Sequence, residues 1–317
     1  MTRDLVVALS GGIGGAKLAL GLSRILPADA LLIVANTGDD FEHLGVSISP
    51  DIDTLMYTLA GLDNRELGWG RRDEGWAFME ALGALGGPTW FRLGDRDMAT
   101  HVERTRRLRS GEKLSAITAD FCRRLGVAPR VLPMSDDPVR TRVLSETGWL
   151  DFQDYFVGQQ CRPVVQKLAF VGAEQARVQP EVLAALASGR VRAVVVCPSN
   201  PFISVEPILA VPGMRAALRG CGAPVIAVSP IIGGRAVKGP TAKMMTELGI
   251  VPSAAAVAAR YGDLLDGSVI DAQDAGEAAG IGGHVVLAHT MMVTMEDRDA
   301  LARVVLSTAD GLRGARA

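Results

Sequence analysis

Leu5-Val-Val-Ala-Leu9, followed directly by Ser10-Gly-Gly-Ile-Gly-Gly-Ala-Lys17, is the stretch that decides the fold. The first five residues form the short, unbroken apolar run expected of a strand buried on both faces, and Ala16 to Leu22 carry a helical apolar pattern. Strand, glycine loop and helix follow one another without a spacer. Leu31-Leu-Ile-Val-Ala-Asn36 repeats the buried-strand signature at the spacing of a right-handed β-α-β crossover. The chain therefore opens as a Rossmann-like unit.

Val191 to Cys197 and Pro224 to Val228 are two further apolar runs, each closed by a turn rich in Pro, Ser and Gly. Both read as parallel strands of the same sheet. Residues 131–170 change character, with Asp136-Asp-Pro138, polar alternation and the aromatic group Trp149, Phe152, Tyr155 and Phe156. Short antiparallel strands fit this stretch better than helices. The expected fold class is α/β: a Rossmann-like parallel sheet flanked by helices (1–130 and 171–317), with a small, mostly antiparallel subdomain inserted at 131–170. Thr89-Trp-Phe91 reads as a short strand, Thr100 to Arg124 as basic helix broken at Ser110-Gly111, and 251–260 as an alanine-rich helix. The tail after Thr308 reads as frayed.

The 317 residues, 48% hydrophobic and 21% charged with 36 glycines, suit one large α/β domain. A net charge of -2 excludes a general field for nucleic acid or anionic lipid, so any phosphate affinity is local and the partner is a small molecule. Cys122, Cys161, Cys197 and Cys221 have no Cys-x-x-Cys spacing and read as reduced thiols. No signal-type segment and no apolar run of membrane-spanning length is present, so the cytoplasm is the expected location. A chain this apolar is compatible with a homodimer.

Backbone amides of the glycine loop and the N-terminus of the helix behind it would face anions at the carboxyl edge of the sheet. Gly11, Gly12, Gly14 and Gly15 keep Cβ atoms out of the way, and Lys17 adds a cation. The loop lacks the Gly-Lys-Ser/Thr ending of a Walker A motif. Asn36-Thr-Gly stands after the second strand where a dinucleotide fingerprint would have Asp or Glu. Carboxylates gather next: Asp39, Asp40 and Glu42, then Ser49-Pro-Asp51-Ile-Asp53-Thr opening a helix. Capping and the helix dipole account for Ser49, Pro50 and the placement of Asp51 and Asp53. They leave Asp39 and Asp40 unexplained beside a phosphate loop, unless a divalent cation lies between the negative partners.

Three later loops add ligand-binding candidates. Arg92-Leu-Gly-Asp-Arg96-Asp97 offers Arg92 or Arg96 to an anion, with Asp95 and Asp97 orienting them. Pro198-Ser199-Asn200-Pro201 offers hydrogen-bonding groups for a nucleotide, and the loop Ser229 to Pro240 adds Gly233 and Lys238. His43, His101, His284 and His289 show no metal-pair spacing and read as satisfied or exposed, and no Gly-x-Ser-x-Gly elbow occurs.

Taken in order, Ser10-Gly-Gly-Ile-Gly-Gly-Ala-Lys17, Asn36-Thr-Gly-Asp-Asp40, Ile48-Ser-Pro-Asp-Ile-Asp-Thr54, Leu93-Gly-Asp-Arg-Asp97, Pro198-Ser-Asn-Pro201 and Ala236-Val-Lys-Gly-Pro240 resemble the 2-phospho-L-lactate transferase family over nearly the whole chain. The resemblance implies transfer of 2-phospholactate, phosphoenolpyruvate or another phospho-C3-acid from a diphosphoguanosine ester to the deazaflavin Fo. GMP is released, magnesium is required, and the product belongs to coenzyme F-420 biosynthesis. It implies that the glycine loop and the loop of Ser199 and Asn200 surround the guanosine diphosphate part of the donor, and Asn36, Gly233 and Lys238 are further substrate-binding candidates. Asp53 with Arg92 or Arg96 would contact Fo, and Asp39, Asp40 and Asp51 would bind metal or orient the hydroxyl. Asp40 and Asp53 are the candidates for catalysis. Ile13-Gly-Gly-Ala16 stands where Thr-Gly-Thr-Pro is frequent, which removes a hydroxyl from that loop. The alternative is a nucleotide-sugar-binding regulatory protein of the same broad fold. Its Asp-Asp-Gly-Gly-Ser-Ser-Gly stretch is replaced here by Gly38-Asp-Asp-Phe-Glu42.

Overall fold

A computed structural model describes residues 4–316. Seven strands form one parallel sheet: β1 (Leu5–Ser10), β2 (Leu31–Ala35), β3 (Arg130–Pro133), β4 (Val191–Val196), β5 (Val225–Val228), β6 (Gly267–Asp271) and β7 (His284–Ala288). Their spatial order is β7-β6-β5-β4-β1-β2-β3, so the chain winds outward from β1 in one direction and later returns to the other side through β4. Ser10 pairs with Ala35 and Leu9 with Val196, which brings the ends of β1, β2 and β4 out at one level. The connections reverse direction between β1 and β4, and in such sheets the crevice at the reversal is where ligands bind.

Apolar side chains on both sheet faces explain why these strands are continuous hydrophobic runs. One core joins Val7, Leu9 and Val194 to the helices Pro180–Ala187 and Met214–Gly220. The other joins Val6, Ala8 and Val195 to α1 (Gly12–Ile25), α2 (Pro50–Leu59) and the long terminal helix. Each fully buried Val or Leu contributes about 1.5–3 kcal/mol relative to exposure.

Between β2 and β3 lie the hairpin Phe41–His43/Val46–Ile48, α2, the helix Ala77–Ala84, α3 (Asp95–Arg109) and α4 (Leu114–Arg124). The break between α3 and α4 falls at Ser110-Gly111, where Gly111 has a φ of +90°. Arg140–Ser145, Gly148–Asp151 and Lys167–Val171 form the expected antiparallel sheet. Its start is later than the sequence suggested: residues 131–133 belong to β3, because a four-residue edge strand is too short to show a burial period of its own. Thr89 to Phe91 is irregular rather than a strand, and residues 251–260 become the helix Ala254–Tyr261. The tail is not frayed but lies within α5 (Met295–Arg316), whose buried Leu301, Val305 and Ala309 dock it on the sheet. Among the described residues no helix is long and apolar enough to cross a membrane.

Candidate active site

The glycine loop sits at the carboxyl end of β1, and Gly11, Gly14 and Gly15 each face a neighbour too close for a side chain. A Cβ on Gly11 would meet Asp51 Oδ2 at 2.5 Å, and one on Gly15 would meet Ser10 Oγ and Ser199 Oγ at 2.5 and 2.6 Å. A Cβ on Gly14 would collide with the Pro198 carbonyl, and Gly12 has a φ of +66°. Gly11 N donates to Ser199 Oγ (3.2 Å) and Gly12 N to Asp51 Oδ1 (2.5 Å). The loop after β1, the start of α2 and the Pro-Ser-Asn-Pro loop after β4 therefore meet as the sequence predicted. Asp51 takes an anion's place on the amide at the start of α1, so that amide is satisfied from within the protein.

Asn36 ties Asp51 to Asp39. Its Nδ2 lies 2.9 Å from Asp51 Oδ2, 3.5 Å from Asp39 Oδ1 and 3.2 Å from the Ile203 carbonyl, while its Oδ1 accepts from Gly38 N. Asp40 Oδ2 accepts from Ser49 Oγ at 2.8 Å, and Asp40 Oδ1 is buried without a partner. Ser49 thus occupies the N-cap position of α2, but its hydroxyl serves Asp40 and makes no cap hydrogen bond. Among the described residues, no Lys or Arg makes an ion pair with Asp39, Asp40 or Asp51. Burial pushes Asp40 up to about 7 and Asp51 up to about 6, against the bonds from Ser49 in the first case and from Asn36 and Gly12 in the second. Burial also raises Asp39, reinforced by repulsion from Asp51 and Asp40. Arg140 acts on Asp39 and Asp40 only through its field.

Asp53 has a different set of partners, although its charge and that of Arg104 both reach Asp40. Arg104 of α3, 1% exposed, grips both of its oxygens, Nη1 to Oδ2 at 3.0 Å and Nη2 to Oδ1. His101 Nδ1 is 3.7 Å from Asp53, and His101 Nε2 is 3.3 Å from Asp97. Asp97 accepts the Tyr57 hydroxyl at 2.6 Å. Burial raises Asp97, yet the His101 and Tyr57 bonds and the Arg104 field outweigh it and hold the carboxyl below its usual value. Oxygens of Asp53 and Asp97 and a His101 nitrogen lie within 4.8 Å of one another, a spacing that suits a metal. The guanidinium of Arg104 already supplies the positive charge there and would repel a second cation. Residues 97, 101 and 104 recur at helical spacing, which puts all three on the face of α3 turned toward α2.

Other expected site residues divide. Arg92 is exposed, its guanidinium 4.1 Å from the centre of the Trp76 ring, and Arg96 is exposed at the start of α3. Asp95 does not orient them: it accepts from the amides of Ala77 and Phe78 and caps that helix, while Glu74 accepts from Arg96 N and Asp97 N. Asn200 turns its side-chain oxygen onto Phe202 N at 2.9 Å, so it shapes its own loop. Lys17 Nζ donates to the Met292 carbonyl at 2.8 Å, Lys238 is exposed and abuts Gly68, and Gly233 N donates to Asp274. Burial pushes the Cys122 and Cys197 thiols up to about 12, which removes both as thiolates. Arg104, Arg140, Trp76 and Gln153, whose Nε2 donates to the Asp39 carbonyl, were not singled out by motif because each belongs to the site only through tertiary contact.

A doubly wound sheet with a glycine loop, an asparagine hub and buried carboxylates at its switch point defines a Rossmann-like small-molecule enzyme. A family profile described as "2-phospho-L-lactate transferase CofD" matches residues 6–298. The chain belongs to that family and is a transferase. It is 45% identical to a phosphoenolpyruvate transferase of Streptomyces griseus over 319 aligned positions, covering 97% of this chain and 99% of the relative. A phosphoenolpyruvate transferase of Streptomyces coelicolor is 42% identical, covering 98% and 99%. Among solved structures, a UPF0052 family protein from Bacillus halodurans has the same fold, with a TM-score of 0.62 at 13% identity, covering 96% of this chain and 99% of the other.

Proposed function

We propose that this chain transfers a phosphorylated C3 acid from its diphospho-5'-guanosine ester to the ribityl hydroxyl of the deazaflavin Fo, releasing GMP, in coenzyme F-420 biosynthesis. Phosphoenolpyruvate is the preferred group, because the most similar relatives quoted above are named for it. The observation that carries the reading is the set of Asp39, Asp40 and Asp51, buried and without cationic partners beside the glycine loop.

Those three carboxylates are hard oxygen donors, and a divalent cation would give the unpartnered Asp40 Oδ1 a partner. As they stand, Asp39, Asp40 and Asp51 do not bring three oxygens within 4.8 Å of one another, so magnesium would have to draw them together to neutralise charge on the donor's phosphate oxygens. The loop after β1 and Ser199 position the donor. The Fo hydroxyl attacks the phosphorus that carries the acid, a new P–O bond forms, and the bond to the GMP phosphate breaks. Asp40, in the state in which it does not hold the metal, would accept the hydroxyl proton. Asp53, fixed by Arg104, orients Fo together with Arg92 or Arg96.

The test is mass spectrometry of the product formed from Fo and each activated donor, with magnesium present. A phosphoenolpyruvyl adduct plus GMP is expected. Binding of Fo without any turnover of the three donors would contradict the transfer, and a protein that leaves Fo absorbance and fluorescence unchanged would favour the regulatory alternative.

A further inference from the structure

Arg298 is a buried cation whose Nε and Nη1 have no hydrogen-bond partner among the described residues. It lies in the first turn of α5 at 4% exposure, with Nε and Nη1 buried and unbonded. Its carbonyl and Cβ pack on α1 where Gly21 leaves room: a Cβ at Gly21 would run into the Arg298 backbone, so contact between the helices fixes this residue.

Further cations surround it. Lys17 lies one turn before Gly21 on α1, its Nζ held by the Met292 carbonyl at 2.8 Å. Arg298 and Lys238 both repel the Lys17 ammonium, after burial, and Arg65 and Arg24 act in the same sense on Arg298. The acid that faces both Lys17 and Arg298 is Asp63, whose carboxylate lies 3.7 Å from Arg65 Nε. Arg24 is paired with Asp299 at 2.8 Å. Lys17, Arg65 and Arg298 thus all face Asp63, with Lys238 adding a further positive charge near Lys17, and an unpaired guanidinium out of water is strongly disfavoured.

We propose that Arg298 and Lys17 form an oxyanion site beside the glycine loop, taking a phosphate or carboxylate group. The guanidinium fork suits two oxygens of one such group, and Lys17 adds a point charge. The link to the donor rests on the transfer proposed above, since a diphosphoguanosine ester of a phospho-acid carries both kinds of oxyanion. The site itself does not depend on that reaction.

The test compares wild type with Arg298→Met by thermal melting, first in an anion-free buffer and then with inorganic phosphate or GDP. Without anion the variant melts at or above the wild-type midpoint, because an unpaired charge has been removed. Phosphate raises the wild-type midpoint and leaves the variant's in place, corresponding to binding weaker by about tenfold or more. A GDP response lost with it identifies the nucleotide donor as the source. A GDP response that survives makes this a phosphate site apart from the donor. Equal phosphate responses in both proteins overturn the proposal. If Arg298→Met does not fold, Arg298→Gln carries the same comparison. Failure of Fo turnover would count against the transfer reaction and would leave these melting curves unaffected.

Discussion

Asp51 and Asp53 stand two residues apart on one helix, equally buried at 5% exposure, in opposite electrostatic surroundings. Asp53 is held by an arginine, flanked by a histidine and connected through it to Asp97. Asp51 has an asparagine amide and one backbone N–H, and its neighbours Asp39 and Asp40 are acids. A charge compensated inside the protein behaves as a fixed part; one left uncompensated is an invitation to a ligand. The same logic, with the sign reversed, applies to Arg298.

Breaking the compensated side should have the largest effect on the fold. Arg104→Met leaves Asp53 buried and alone, and the expected loss is about 3–5 kcal/mol in urea unfolding. The double variant Asp53→Asn/Arg104→Met should recover much of it, and strict additivity of the two losses would break the argument. On the uncompensated side, Asp40→Asn should lower transfer by about a hundredfold or more while unfolding stability stays level or rises. A wild-type rate in that variant would remove Asp40 as proton acceptor.

The contrast also has a pH signature. For Asp40 and Asp51 the folded pKa values, about 7 and about 6, lie above the ordinary value of an aspartate carboxyl, about 4. Between those limits the native state holds protons that the unfolded chain has lost. Stability from these groups therefore falls as pH rises from about 4, and the penalty is complete above about 7. Magnesium should consequently raise the melting temperature more at pH 8 than at pH 5; an equal shift at both would contradict the account. The smallest effect is reserved for an exposed contact: Arg92→Met, losing its place over Trp76, should cost about 0.5–1 kcal/mol or less. In Fo binding the loss should be larger than in stability.

The sequence showed the parallel sheet plainly, since strands buried on both faces are read as unbroken apolar runs, and it showed the glycine loop because glycine is needed for close approach. The convergence of Gly11, Asp51 and Ser199 also followed from motifs that end neighbouring strands. Arg104 was visible only as one of several basic residues on α3, because which of them turns inward depends on the packing of α3 on α2. Ser49, Asp95 and Asn200 looked like cap or ligand residues, and their partners were settled by tertiary contacts beyond the reach of a local pattern. Arg298 carried no motif at all, since an orphaned guanidinium is defined by what does not surround it.

Magnesium titrated calorimetrically at pH 8 into wild type and Asp51→Asn tests the central claim most directly. Saturable binding by wild type, weakened about tenfold or more by the substitution, is predicted. The same affinity in both proteins, or no binding by wild type, would contradict a cation site built from the uncompensated acids.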